Sequence, residues 1–264
     1  MAIYLAVTPE RAREAAGWTN RLAHVAYRVD REGHLAWRGL LMGTRGGLMV
    51  LGDRDCGPIR DPGSLCREVC RECAGREYGG VAADFEEPVS RDRAAFLDAL
   101  SKALGRTGRR LLIPEAYAGA VPQGTVLLCT AISGGSLEQR LEEAVRRYGR
   151  GRLALDLQRL RMRFPLPCPG GEGESLDRAA LERLLEERGQ NVFYSADLCA
   201  RYFTYTREGR RWFVLFDDAD TLLRKIRLGR EKGIGLGLFM YPEVEDLLPR
   251  LFPVPPSRNG GQKR

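Results

Sequence analysis

Tyr78-Gly79-Gly80-Val81-Ala82-Ala83-Asp84-Phe85-Glu86 is a run of small and apolar residues that ends in two acids. Alternate residues of a strand share a face, so Gly80, Ala82, Asp84 and Glu86 fall on one side and Val81, Ala83 and Phe85 on the other. A strand apolar on both faces belongs in a parallel sheet covered by helices. Two carboxylates at its C-terminal end are costly there unless they do chemistry or bind metal. The competing reading is a pair of solvated loop acids opening Glu86-Glu87-Pro88.

Outward from this strand, apolar stretches and amphipathic helices alternate. Strands are expected at Ile3 to Val7, His24 to Val29, Gly47 to Leu51, Arg110 to Pro114, Thr125 to Ile132, Leu153 to Leu157 and Gly233 to Tyr241. Helices are expected from Pro9 to Leu22 with Thr8 as cap, and at Ser64 to Gly75, Asp92 to Leu104, Ser136 to Tyr148, Leu176 to Arg188 and Asp220 to Arg230. Arg31-Glu32-Gly33 turns the second strand back toward Leu35 and Trp37. Phe193 to Phe203 and Trp212 to Phe216 read as an inserted pair of extended segments. Eight strand candidates with intervening helices over about 250 residues predict a single (β/α)8 barrel, the TIM-barrel form of the α/β class. The barrel is expected over 1–252, with a small insertion at 193–216 and a flexible basic tail at 253–264. Active sites of such barrels lie at the C-terminal ends of the strands, where Asp84 and Glu86 fall.

The nine residues resemble the strand-four signature of glycoside hydrolase family 18, the chitinase-like barrels. That pattern is apolar-Asp-Gly-apolar-Asp-apolar-Asp-x-Glu. This chain keeps Gly80, Asp84 and Glu86 and replaces the first two aspartates by Gly79 and Ala82. Trp212 to Asp218, the helix containing Lys225, and Gly233 to Phe239 are similar to the family's closing segment, closest to the branch of spore-germination and cortex-fragment hydrolases. His24-Val25-Ala26-Tyr27 with Gly33-His34-Leu35 also suits its second strand. The resemblance covers most of the chain, and its specificity lies in the strand-four and closing motifs.

The resemblance implies a substrate-assisted retaining glycosidase acting on an N-acetylglucosamine-containing polymer, either chitooligosaccharide or a cell-wall or spore-cortex glycan. Glu86 would be the general acid. Asp84 would orient the 2-acetamido group, whose oxygen is the nucleophile. A neighbouring carboxylate helps raise the pKa of such an acid. The family's strand-six tyrosine and aspartate are missing from Leu127-Leu128-Cys129-Thr130-Ala131-Ile132-Ser133. Its strand-eight tryptophan is replaced by Tyr241, an aromatic able to stack on a sugar. Glu115 or Tyr117, at the end of strand five, are the substitutes offered for the missing inner aspartate. A barrel that binds glycan or a protein without catalysis stays open beside the hydrolase.

Other constellations carry less. Cys66-x3-Cys70-x2-Cys73 has the iron–sulfur spacing of radical S-adenosylmethionine enzymes. However, Leu65, Cys66, Val69, Cys70 and Cys73 trace the apolar face of a helix, and free cysteine is a common core residue. His24 and His34 read as structural. Gly233, Gly235 and Gly237 lack a dinucleotide fingerprint and read as small residues inside a tapering barrel. Asp217-Asp218 reads as a helix cap, and Trp212, Phe213 and Phe216 as core. No metal or organic cofactor is expected.

In 264 residues the formal net charge is +7, mostly from scattered arginines, which weakly favours anionic surfaces. No helix-turn-helix, zinc-finger or RNA-binding signature supports nucleic acid as a partner. No stretch reaches membrane-spanning length and the N-terminus lacks a basic leader, so the expected location is cytoplasmic or spore-associated. The 7 cysteines then read as reduced thiols. The sequence sets no oligomeric state.

Overall fold

The structure, a computed structural model, describes residues 1–39, 44–168, 170–189 and 191–253. The tail expected at 253–264 therefore lies outside the described residues from 254 onward. In chain order the strands are β1 Ala2–Val7, β2 Leu22–Val29, β3 Leu35–Trp37, β4 Leu48–Gly52, β5 Gly80–Asp84, β6 Arg110–Pro114, β7 Thr125–Cys129, β8 Leu153–Asp156, β9 Arg161–Leu166, β10 Glu174–Ser175, β11 Phe193–Ser195, β12 Ala200–Arg207, β13 Arg210–Phe216 and β14 Leu236–Met240. The helices are α1 Ala12–Ala15, α2 Pro62–Gly75, α3 Arg91–Gly105, α4 Leu137–Tyr148, α5 Arg178–Arg188, α6 Ala219–Glu231, α7 Tyr241–Val244 and α8 Leu248–Leu251.

Strands β1, β2, β4, β5, β6, β7, β8 and β14 pair in parallel, and β1 bonds to both β14 and β2, so the sheet closes into an eight-stranded barrel. β3 folds back antiparallel on β2. The interior is filled by small and branched side chains, among them Ala6, Ala23, Val50, Ala82, Leu112, Ala154 and Leu238. The alternate residues, such as Val81, Ala83, Met49 and Leu51, face outward into a larger core beneath the helices. This two-sided burial is why the strands read as continuous apolar runs. Gly80 has its own reason to be glycine: a Cβ there would lie 2.4 Å from the Arg110 carbonyl oxygen on β6.

The helix expected from Pro9 to Leu22 is only a 3-10 turn at Pro9–Arg11 and the single turn of α1. Thr8 precedes it in an extended conformation without a side-chain cap bond. The caps at α4 and α6 do form. Ser136 accepts from the Gln139 N–H at 3.4 Å, and Asp218 forms a capping box with Thr221. Asp217 is not part of that cap. It is fully buried and ion-paired at 2.7 Å with the equally buried Lys225 of α6, and it accepts from Thr221 Oγ1 and the Leu160 N–H. β7 stops at Cys129, short of the Ile132 expected, because its neighbour β8 ends at Asp156. Thr130 there turns both its N–H and its hydroxyl onto the Asp156 carbonyl. Gly237 faces outward, with the space of its missing Cβ against Ile3 and Leu157 rather than inside the barrel, and Gly233 sits at φ +77°.

Between β8 and α6 the chain builds a second, five-stranded antiparallel sheet, in the order β10-β9-β13-β12-β11. This sheet begins at Arg161, well before the 193–216 pair, because β9 supplies the partner that β13 needs along its length. The extended segment expected from Phe193 to Phe203 is broken by a turn ending at Cys199, which has φ +48°. One face packs on α5 through Leu181, Phe203 and Val214. The other carries an aromatic ladder of Phe193, Tyr202, Phe213 and Phe164, with successive ring centroids 5.6, 5.4 and 6.3 Å apart. Arg159 ties this sheet's root to the barrel, donating to the Glu243 carbonyl at 3.0 Å and to Asp246 at 2.6 Å.

Candidate functional site

The register of the strands determines what reaches the barrel mouth. Val25, Val50, Ala82 and Leu112 are adjacent across β2, β4, β5 and β6 and form an interior row. One row nearer the C-terminal ends lie Arg28, Gly52 and Asp84. Arg28 joins this row because the pairing of β2 with β4 slips between Val25 and Tyr27, a bulge of one residue. Without it Tyr27 would point inward and Arg28 outward. With it, Tyr27 is buried in the outer layer, where its hydroxyl meets Tyr78 at 3.0 Å and donates to Glu72 at 2.8 Å. Bulges re-aim side chains in this way next to functional sites.

Asp84 ends β5, and Glu86 stands in the following loop. Between them Phe85 is buried in the outer core, edge-on to Tyr117 at 6.1 Å and parallel to Phe96 at 6.3 Å, so it anchors the loop. Asp53, just after β4, is fully buried and braces the same loop. One of its oxygens accepts from the Glu86 N–H at 2.8 Å and the other from Arg93 Nε at 2.8 Å. Glu86 itself is 57% exposed and accepts from Arg54 at 2.8 Å. The loop backbone is thus held by a buried ion pair while the Glu86 carboxylate lies at the surface.

Asp84 reaches solvent, yet the barrel wall removes enough water that desolvation is the largest cause raising its carboxyl above the ordinary range. The charges of Glu86 and Asp53 add to this, and Arg54 opposes it. Asp156, at the end of β8, lies beside Leu238 and Cys129 and so on the interior face. Burial pushes its carboxyl up to about 6, against a 2.9 Å hydrogen bond from Gln158 Nε2, and the Asp84 charge adds to the rise. Cys129 Sγ donates to the other end of Gln158 at 3.7 Å. The mouth therefore holds carboxyls from β5 and β8, and the Asp84 charge acts on Asp156. Beside Asp84 and Glu86 opens a pocket of about 450 Å3, whose wall includes Glu10, Arg28, Arg38, Gly52 and Arg54.

The remaining sequence candidates lie elsewhere. Tyr241 is 1% exposed: the strand ends at Met240, the ring turns into the core beneath the helices, and its hydroxyl accepts from Arg11 at 3.5 Å. It therefore offers no face to a sugar. Tyr117 is equally buried, and its hydroxyl has no hydrogen-bond partner among the described residues. Burial is the main cause that raises its pKa, with the Asp53 charge next. Glu115 is half-buried and occupied by Arg140 at 2.8 Å and the Tyr148 hydroxyl at 3.3 Å, a clip between the end of β6 and α4. Neither Tyr117 nor Glu115 borders the pocket, and neither replaces the aspartate missing at Ala82. Cys66, Cys70 and Cys73 lie along α2 with Cys66 and Cys73 buried, and desolvation pushes the Cys66 thiol to about 11 and the Cys73 thiol to about 12. His24 is buried against Tyr78, and desolvation followed by Arg76 lowers its pKa. His34 pairs with Glu68 at the surface.

Asp156, Asp53, Arg28 and Arg54 were missed. Asp156 carried a usable signal, being a lone acid inside the apolar run Leu153 to Leu157. Asp53 and Arg54 follow a strand end directly, but the contacts that matter lie 32 or more residues away.

No family model and no curated protein matches the chain. Solved structures do match. The spore cortex-lytic enzyme SleL of Bacillus cereus superposes with a TM-score of 0.67 at 18% identity, over 95% of this chain and 74% of that one. A chitinase from Chromobacterium violaceum gives 0.68 at 16% identity, over 95% and 98%. A class V chitinase from Nicotiana tobaccum gives 0.70 at 11% identity, over 94% and 96%, and has a second structure in complex with NAG4. At these identities the likeness establishes a shared barrel fold. No helix among the described residues is long and apolar enough to cross a membrane.

Proposed function

We propose that the chain is a glycoside hydrolase of the family 18 type, acting on an N-acetylglucosamine-containing glycan of the cell-wall or spore-cortex kind by substrate-assisted, retaining hydrolysis. The observation that carries this reading is the placement of Asp84 and Glu86 at the C-terminal mouth of the fourth barrel strand, bordering one pocket, with their loop braced by Asp53 and Arg93. Barrels sharing this architecture include enzymes described as chitinases and a spore cortex-lytic enzyme.

In this mechanism Glu86 leaves Arg54 and, protonated, gives its proton to the glycosidic oxygen. The bond from that oxygen to C1 breaks as the acetamido oxygen bonds to C1. Asp84 holds the acetamido N–H and faces the positive charge that develops. Water then attacks C1 as the bond from the acetamido oxygen to C1 breaks and restores the acetamido group, and the Glu86 carboxylate takes the water's proton, returning the site to its starting state. Asp156 takes the place of the missing inner aspartate as a carboxyl that shares the mouth with Asp84. A location at the cell wall or spore follows from the substrate and belongs to the same proposal.

A second reading, a barrel that binds glycan without cutting it, is favoured by the replacement of the inner aspartate by Ala82. Release of reducing ends from chitooligosaccharides and cortex fragments separates the two. The hydrolase reading expects turnover that falls at least about a hundredfold in Glu86→Gln, the scale of a lost general acid, with oligosaccharide binding retained. Wild-type protein that binds these glycans and releases nothing leaves the binding module.

A further inference from the structure

The wall of the pocket opposite the acids carries more guanidinium than the acids use. Arg54 is engaged by Glu86 at 2.8 Å. Arg28 and Arg38 border the same pocket and have no ion pair or side-chain hydrogen bond among the described residues. Arg28 Nε is buried with no acceptor among the described residues. The carboxylates that share the pocket, Glu10, Asp84 and Glu86, do not take them up. The β2 bulge brings Arg28 into the Asp84 row, and Gly52 between them contributes no side chain, so the space separating the two is open. Arg38 follows β3, held by its N–H on the Ala26 carbonyl at 2.8 Å, which fastens the hairpin to the bulge itself. An orphaned buried donor is a cost that a bound acceptor removes, and paired guanidinium forks match the planar geometry of a carboxylate.

We propose that Arg28 and Arg38, with Arg54 beside them, form a subsite for a carboxylate carried on the sugar chain. The preferred ligand is then an acidic amino-sugar polymer, such as one bearing the lactyl ether of muramic acid, over a neutral one. The inference rests on the hydrolase reading for where the chain lies, but recognition of the anion does not require turnover.

The test compares three tetrasaccharides by calorimetric titration: alternating N-acetylglucosamine and N-acetylmuramic acid, the same chain with its carboxyls reduced to alcohols, and chitotetraose. The full chain carrying Glu86→Gln is used, so that no turnover competes. The carboxylated tetrasaccharide is expected to bind at least about tenfold more tightly than its reduced form, the scale of one charge-assisted contact. That preference shrinks as salt is raised. Adding Arg28→Gln and Arg38→Gln together is expected to reduce it to within about twofold while leaving the chitotetraose affinity unchanged. Arg38→Gln alone, on an exposed loop, gives a partial loss and covers the case in which the double variant loses its far-UV spectrum. Equal affinity for the charged and reduced chains, binding of neither, or a preference that survives the arginine changes overturns the subsite. Wild-type turnover without a preference keeps the hydrolase and removes the subsite. A preference without turnover does the reverse.

Discussion

Replacing Asp156 with asparagine turns a titrating carboxyl into a neutral amide of nearly the same shape, and the effect can be worked out with its sign. The Asp156 carboxyl is held at about 6 against an ordinary 3.8, chiefly by burial. That is a displacement of roughly two pH units, or about 3 kcal/mol at 1.36 kcal/mol per unit. The unfolded chain releases this proton near pH 4 and the native state near 6. Between these values the native state binds more protons, so stability is complete below about pH 4 and falls as pH rises through 6. The wild type therefore carries at pH 8 a penalty of up to about 3 kcal/mol that Asp156→Asn lacks. The figure is a ceiling, because the mouth is open to water on one side. Gln158 keeps its acceptor, since the replacement retains a side-chain oxygen where Gln158 Nε2 now donates at 2.9 Å. Urea unfolding of both proteins at pH 4 and pH 8 reads the effect. The difference between them should move in the variant's favour by about 2–3 kcal/mol from the lower pH to the higher. A difference that is the same at both pH values refutes the argument that burial and Asp84 strain this carboxyl.

Asp53→Ala should cost about 3–5 kcal/mol by chemical denaturation, because it leaves the largely buried Arg93 with no carboxylate, only the Ser90 hydroxyl, and the Glu86 N–H without an acceptor. Any turnover that depends on Glu86 should fall with it; a loss of turnover at unchanged stability would mean that Asp53 does not act through the loop. Lys225→Met should cost a similar 3–5 kcal/mol, since it strands the buried Asp217, while Lys225→Met with Asp217→Leu should recover most of that loss. A single variant within about 1 kcal/mol of wild type would show that the Leu160 N–H and Thr221 hydroxyl alone suffice for Asp217.

The barrel was legible because its strands are buried on both faces, and eight such runs separated by helices admit few other closures. The division of β5 into an inward Ala82–Asp84 face and an outward Val81–Ala83–Phe85 face also followed directly from the period of two. What failed were inferences that carried a side chain past the end of its element. Tyr241 was read as the last residue of a strand, facing the mouth. It is the first of a helical turn, and that single change of backbone direction sends its ring into the core. The short helix after β1 shows the converse, since Pro9 favours a start but Gly17, Thr19 and Asn20 leave too few periodic apolar positions to continue it. The bulge in β2 had no local signature, being a matter of register between Val25 and Val50. Arg28 therefore looked like one more scattered basic residue until the pairing was known.

The weight of the Arg54–Glu86 pair bears on which reading of the site survives. Both side chains are mostly in water, at 76% and 57% exposure. An ion pair so placed contributes little to stability and is readily given up to an incoming glycan. The pair therefore does not lock Glu86 in place and gives little support to a purely binding barrel. The replacement of the inner aspartate by Ala82 is the weightier departure, because a methyl group inside the barrel can neither carry charge nor take a proton from Asp84. In the proposed hydrolase the compensating carboxyl is Asp156 on β8, raised chiefly by burial and further by the Asp84 charge. On that reading, whether the barrel cuts or only binds turns on Asp84 and Asp156 together, two carboxyls from strands far apart in sequence.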